Sequence, residues 1–122
     1  MDVKRNGPPR AVRVAGQNIY DFEVTLNQEP NPNWIAFFRN PSERSTVCVP
    51  RLLRFEGSTL HFRSGQEDVP SWISYIDSWI AAANTAYAEL GRRARESEER
   101  ERLFQQQHEA ELLEINERFK NL

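Results

Sequence analysis

Cysteine is almost absent from this chain. Cys48 is the single one, which excludes an intrachain disulfide. It lies in the apolar run Thr46-Val47-Cys48-Val49 and reads as a buried thiol rather than a nucleophile. Histidine is nearly as scarce. His61 and His108 are far apart in the sequence, whereas a metal centre needs clustered ligands at set spacings. His108-Glu109 opens like a zinc-protease signature, but Leu112 stands where the second histidine belongs. The five glycines are scattered and form neither a GxGxxG nor a Walker A pattern. A Cys48–His61 pair could form in a sheet, but no spacing demands it, and a nucleophile needs its base close by. Carboxylates on the C-terminal helix alternate with arginines, the pattern of a solvated face. The expectation is a chain that is not an enzyme, with no metal and no cofactor.

Long apolar runs are missing too. None approaches the roughly 20 residues of a membrane-spanning helix. Met1 to Arg10 is polar and lacks the apolar core of a signal peptide. The expected setting is reduced and cytoplasmic, in a cell or in an infected host. The net charge is only -2, so the whole chain gives no argument for nucleic acid or an anionic membrane. A length of 122 residues suits one domain. The mean hydropathy of -0.73 implies an excess of polar surface, to be explained by an exposed segment.

Proline is absent after Pro70, and this absence organises the chain. A single helix from there to the end would span about 75 Å at 1.5 Å per residue, far more than the core of so small a domain. It has three zones. From Trp72 to Leu90, spacings of three and four put Trp72, Ile73, Tyr75, Ile76, Trp79, Ile80, Ala83, Ala86, Tyr87 and Leu90 over one wide side, enough to cover a sheet. Gly91 to Arg102 has nine charged residues in twelve and reads as solvated helix, with Glu96–Arg100 and Glu98–Arg102 as i,i+4 pairs. The third zone regains an apolar seam through Phe104, His108, Leu112, Ile115, Phe119 and Leu122, widened by Leu103, Ala110 and Leu113. Such a stripe needs a partner, and helices from several protomers are expected to supply it. The competing arrangement breaks at Gly91 and folds the last helix back on its own domain.

The N-terminal half reads as sheet. Met1 to Arg10 looks like a flexible basic tail. Tyr20, Phe22, Val24 and Leu26 alternate with Asp21, Glu23 and Thr25, which predicts a strand with one apolar and one acidic face. It should pair with Val12–Val14 across a turn at Gly16–Asn18. Trp34–Arg39 and Thr46–Val49 are expected as two further strands. Leu53/Phe55 and Leu60/Phe62 form a second hairpin across Glu56–Thr59. Asp68 and Pro70 suit the start of the helix. The predicted fold is α+β. An N-terminal antiparallel sheet of four to six strands (domain 11–90, after tail 1–10) packs on a long C-terminal helix that extends beyond the domain as an oligomerisation arm, 91–122.

Between Arg39 and Arg63 lie Arg39, Arg44, Arg51, Arg54 and Arg63 against Glu43 and Glu56, a local sum of +3. If Leu53/Phe55 and Leu60/Phe62 face the helix, then Arg54, His61 and Arg63 share the opposite face. The plain reading is a sheet with cross-strand ion pairs. The functional reading is a surface for phosphate, a nucleotide or an acidic protein. Asn84, beside Tyr87, interrupts the apolar zone. It either fixes helix register, lies exposed, or binds a ligand. The candidate binding residues are therefore Arg39, Arg51, Arg54, His61, Arg63, Asn84 and Tyr87. The expected function is a non-catalytic, homo-oligomeric binding protein, an inhibitor or adaptor that uses its sheet and loops on another macromolecule. A first alternative is sequestration or sensing of a small anionic, nucleotide-like ligand between protomers. A second is single-stranded nucleic-acid binding, for which Trp34, Phe37 and Phe38 offer aromatics of both parities. Against it stand ten Asp/Glu and seven Lys/Arg from Pro70 onward.

Overall fold

A computed structural model of the protein describes residues 1–43 and 45–122. Arg44 lies outside the described residues. The elements in order are β1 (Arg10–Gly16), β2 (Ile19–Thr25), α1 (Pro32–Phe38), β3 (Arg54–Glu56), β4 (Thr59–Ser64) and α2 (Val69–Phe119). Short 3-10 turns precede β3 at Pro50–Leu52 and α2 at Gln66–Asp68. The strands form one antiparallel sheet in the order β1-β2-β4-β3. The fold is the α+β arrangement expected, with an N-terminal sheet packed on a long C-terminal helix.

Both hairpins form where alternation ends. The first turns at Gln17-Asn18, where Asn18 takes a left-handed φ of 58°, a conformation asparagine tolerates. The second turns through Gly57 at φ 61°, where a side chain would be strained. Register then fixes the faces. Phe22 lies opposite Phe62 and Val24 opposite Leu60, all four buried. Against them pack Trp72, Ile76, Trp79, Ile80 and Ala83 of α2. Phe22 stacks on Phe62 at 5.4 Å between ring centroids, and Phe62 meets Trp72 at 5.4 Å. Burying each large apolar side chain contributes about 1.5–3 kcal/mol, so this face of α2 supplies much of the core.

Two expected strands are corrected. Trp34–Arg39 is not a strand; most of it lies in helix α1. The side chain of Asn31 accepts from the Trp34 amide at 2.9 Å, and Pro32 occupies the first turn, where its missing N–H costs nothing. Trp34 and Phe38 are buried while Ala36 between them is exposed, a period of four rather than two. Phe38 meets Trp79 edge-on at 5.8 Å and Phe55 at 5.1 Å. Thr46–Val49 is not a strand either. The Ser45 hydroxyl accepts from the amides of Val47 and Cys48 at 3.3 and 2.7 Å, a local turn that competes with a ladder, and Pro50 then opens a 3-10 turn.

The expected flexible tail is also corrected. Val3 is fully buried. Its N–H donates to Asn84 Oδ1 at 3.0 Å and its carbonyl accepts from Asn84 Nδ2 at 2.8 Å. Arg5 makes a two-pronged bond with Asp77 at 2.9 and 3.0 Å, and bridges to Leu26 through the backbone. The Asn27 and Gln28 side chains both donate to the Asp2 carbonyl. A basic, proline-bearing segment lacks the area to fold alone, yet one apolar residue and a set of long-range hydrogen bonds fasten it.

Helix α2 runs without a break through Gly91, so the turn considered at that residue does not occur. By its contacts the chain divides into two units, Met1–Ala88 and Glu89–Leu122. The first holds the sheet, α1 and the core. The second is helix whose charged stretch is laced by pairs such as Arg92 with Glu89 and Glu96, and Arg100 with Glu96 at 3.8 Å. Arg102 bonds Glu99 at 3.4 Å rather than the expected Glu98.

Candidate functional site

The inner face of the sheet is consumed by the core, which leaves the outer face as the open surface of Met1–Ala88. Parity decides who stands there. Phe22 and Val24 point inward, so Ile19, Asp21 and Glu23 of β2 point outward, as do His61 and Arg63 of β4. Register completes the group: Arg63 lies opposite Asp21, Arg13 of β1 also lies opposite Asp21, and Arg54 of β3 lies opposite His61. A shallow, open depression of about 950 Å³ covers this face, bordered by Val12, Ile19 and Leu52 as well as the charged groups.

Asp21 is the electrostatic centre of the depression. Its Oδ1 accepts from Arg63 Nε at 2.8 Å and its Oδ2 from Arg13 Nε at 2.8 Å. The two guanidinium groups, Arg63 foremost, hold the Asp21 carboxyl below its ordinary range, and the same bond raises Arg63. Glu23 accepts from Arg10 at 2.7 Å. Glu56 lies 3.3 Å from His61 Nε2 and 3.8 Å from Arg54. The arginines are thus matched by carboxylates along a cross-strand ladder. Between these pairs Val12, Ile19 and Leu52 remain 45%, 42% and 59% exposed.

The sequence-predicted residues divide by location. Arg54, His61 and Arg63 do share the outer face. Arg51 is exposed on the 3-10 turn that also carries Leu52. Arg39 does not join them. It caps α1, donates to the carbonyls of Pro50 and Leu53 at 3.3 and 3.1 Å, and lies over the Phe55 ring at 5.5 Å. Asn84 and Tyr87 are internal fasteners. Asn84 clasps Val3 and accepts from Trp34 Nε1 at 2.9 Å, and the Tyr87 hydroxyl accepts from Asn31 Nδ2 at 2.9 Å. These bonds hold the N-terminal segment, α1 and α2 together, the structural one of the roles expected for Asn84. Arg44 falls on the one residue outside the described set.

Sequence reasoning missed Val12, Arg13, Ile19 and Leu52. Extending the alternation of β2 back by one step places Ile19 with Asp21 and Glu23, so that signal was present. Arg13 needed the β1–β2 register, which contains irregularities between Ala11 and Arg13 and between Val14 and Gly16. Cys48 is buried, and desolvation pushes its thiol up against a smaller opposing bond from Ser45. Among the described residues, no group of three or more His, Cys, Asp or Glu is placed to hold a metal ion.

Glu89–Leu122 carries a second candidate surface. At 3.6 residues per turn, Phe104, His108, Leu112, Ile115 and Phe119 fall within an arc of about 80° on α2, and Leu122 follows in the turn beyond the helix end, its N–H donating to the Phe119 carbonyl at 3.1 Å. The Phe104 and His108 rings meet at 4.2 Å. All six are exposed, as are Leu103 and Leu113. No helix of the described structure is long and apolar enough to cross a membrane.

Comparison with protein-family models, with curated proteins and with solved structures finds no match to this chain.

Proposed function

We propose that the chain is a non-catalytic, self-associating binding protein whose outer sheet face docks on another protein. The observation that carries this reading is the set Val12, Ile19 and Leu52, exposed side by side with ion-paired arginines. Apolar side chains among charged groups match the composition of protein–protein interfaces, where arginine is enriched. The partner that fits offers an apolar centre with acidic residues at its rim, facing Arg51, exposed beside Leu52, and Arg54, whose own carboxylate stands off at 3.8 Å. Self-association through Phe104–Leu122 adds valency, which raises avidity without new contacts.

The face suits free anions less well. Asp21 already engages Arg13 and Arg63, so a phosphate would have to displace a carboxylate held by two guanidinium groups. Nor does it suit single-stranded nucleic acid. The outward positions of β2, β3 and β4 carry no Trp, Tyr or Phe, and Trp34 and Phe38 are buried.

The test uses capture from host extract with the wild type and an Ile19→Asp/Leu52→Asp variant of unchanged circular dichroism. Proteins retained by the wild type and lost by the variant support the docking face. An identical set from both sinks it. Thermal stabilisation by nucleotides without turnover, abolished by Arg54→Ala/Arg63→Ala, would instead move the assignment to a small anion.

A further inference from the structure

We propose that Gln105–Leu122 pairs antiparallel with the same stretch of one second copy, in the register that sets Leu112 against the partner's Ile115. The inference rests on the self-association proposed above and specifies its partner, direction and register.

From His108 onward the seam follows alternating intervals of four and three: His108, Leu112, Ile115 and Phe119 on the helix, then Leu122 in the turn just past its end. This is the seam of a two-helix packing, with Gln105 completing the first layer. On an ideal helix Glu111 and Arg118 flank one side of it, and Glu109 and Asn116 the other. Glu111 and Arg118 are 66% and 63% exposed, and their pairs within the helix are long, Glu111 with His108 at 3.8 Å and Arg118 with Glu114 at 3.9 Å, so both can exchange them for a contact across the seam.

Direction and register follow from these flanks. In an antiparallel pair each flank meets the same flank of its partner. With Leu112 on the partner's Ile115, His108 lies on the partner's Phe119 and Gln105 on the partner's Leu122. Glu111 then faces the partner's Arg118, and symmetry repeats the contact. Glu109 faces the partner's Asn116, also twice. Sliding the pair by one heptad in one direction sets Glu111 against Glu111. Sliding it in the other sets Arg118 against Arg118, and both slides uncover seam residues. A parallel pair sets Glu111 against Asn116, which leaves Arg118 without its acidic match. Only the proposed register joins the longest overlap of the seam to opposite charges, the device that selects partner and orientation in helix pairs.

Charge reversal and cross-linking in the full-length chain test this. Wild type should sediment as two copies. Glu111→Arg alone, or Arg118→Glu alone, creates two like-charge contacts per pair and should weaken association on the order of tenfold. The double variant Glu111→Arg/Arg118→Glu should return to within about threefold of wild type, because the reversed charges face each other again. Gln105→Cys mixed with Leu122→Cys should form a disulfide-linked pair, while Leu122→Cys alone should not; native Cys48 is buried. A monomer at every concentration overturns self-association and this pairing together. Association that persists while the double variant stays as weak as the singles, or while Leu122→Cys links to itself, overturns the antiparallel register alone. A mass of three or more copies overturns the two-chain pairing.

Discussion

Helix α2 carries two apolar stripes with similar spacing and opposite fates. Trp72, Ile76, Trp79, Ile80 and Ala83 are buried in the core of Met1–Ala88. Phe104, Leu112, Ile115 and Phe119, in Glu89–Leu122, are exposed. The sequence signal is the same, intervals of three and four, but the cover differs. Periodicity therefore specifies that a surface will be hidden and leaves open what hides it. In the first stripe the cover is a sheet in the same chain, recognisable because the preceding residues alternate. In the second, no cover lies within the chain, and the pairing proposed above would supply it from a second copy.

The largest effect should separate the two stripes outright. Trp79→Ala removes a buried indole that contacts Phe38 and Trp72 and donates to the Glu43 carbonyl at 2.6 Å. Urea unfolding should show a loss of about 3–5 kcal/mol. Phe119→Ala should leave the unfolding of the sheet unit unchanged while reducing particle mass in light scattering. If Phe119→Ala unfolds the sheet, or Trp79→Ala costs little, the two stripes do not have separate roles.

A smaller effect is expected at Asn84, whose side chain holds both backbone groups of Val3 and the Trp34 indole. Asn84→Ala leaves these groups without partners and should cost about 2–3 kcal/mol. Hydrogen exchange at Val3 should accelerate far more than exchange at Phe62. Equal acceleration would mean that Asn84 supports the whole core rather than the N-terminal segment.

Acid should act on the outer face next. The folded-state pKa of Asp21 is lowered by Arg63 and Arg13. Its stabilising contribution is fully present above the unfolded value of about 3.9 and is lost as pH falls through the lowered folded value. Asp21→Asn should be less stable than wild type at pH 6, and the gap should close toward pH 2. A gap that stays constant over that range refutes the ion-pair account. The smallest change is Gly91→Ala. The added methyl meets only Arg95 at 3.5 Å, an ordinary contact, so about 0.5–1 kcal/mol of helix stability should appear. Amides around Gly91 should exchange more slowly, with those of the sheet unchanged.

What was legible in the sequence followed physical locality. Both hairpins and α2 were readable because strict alternation and three-four spacing are properties of consecutive residues. Trp34–Arg39 misled because a run of five apolar residues and one arginine has too few periods to separate strand from helix. The deciding signal was outside it, in Asn31 and Pro32. Val3 was unreadable as core because its partner is Asn84, and no local pattern joins them. At the outer face, Arg54, His61 and Arg63 were placed by parity. The pairing of Arg63 with Asp21 and of His61 with Glu56 depended on how β4 registers with β2 and β3, which no single strand encodes.

The Val3–Asn84 clasp also constrains the order in which the protein can be completed. The two residues are 81 positions apart. During synthesis at 5–20 residues per second, Val3 waits about 4–16 s before its binding partner exists. Until then its burial site is incomplete, since the stretch of α2 that holds it has not been made. A segment made before the sheet is thus secured only after it, and closure at Val3 reports that α2 has been made as far as Asn84.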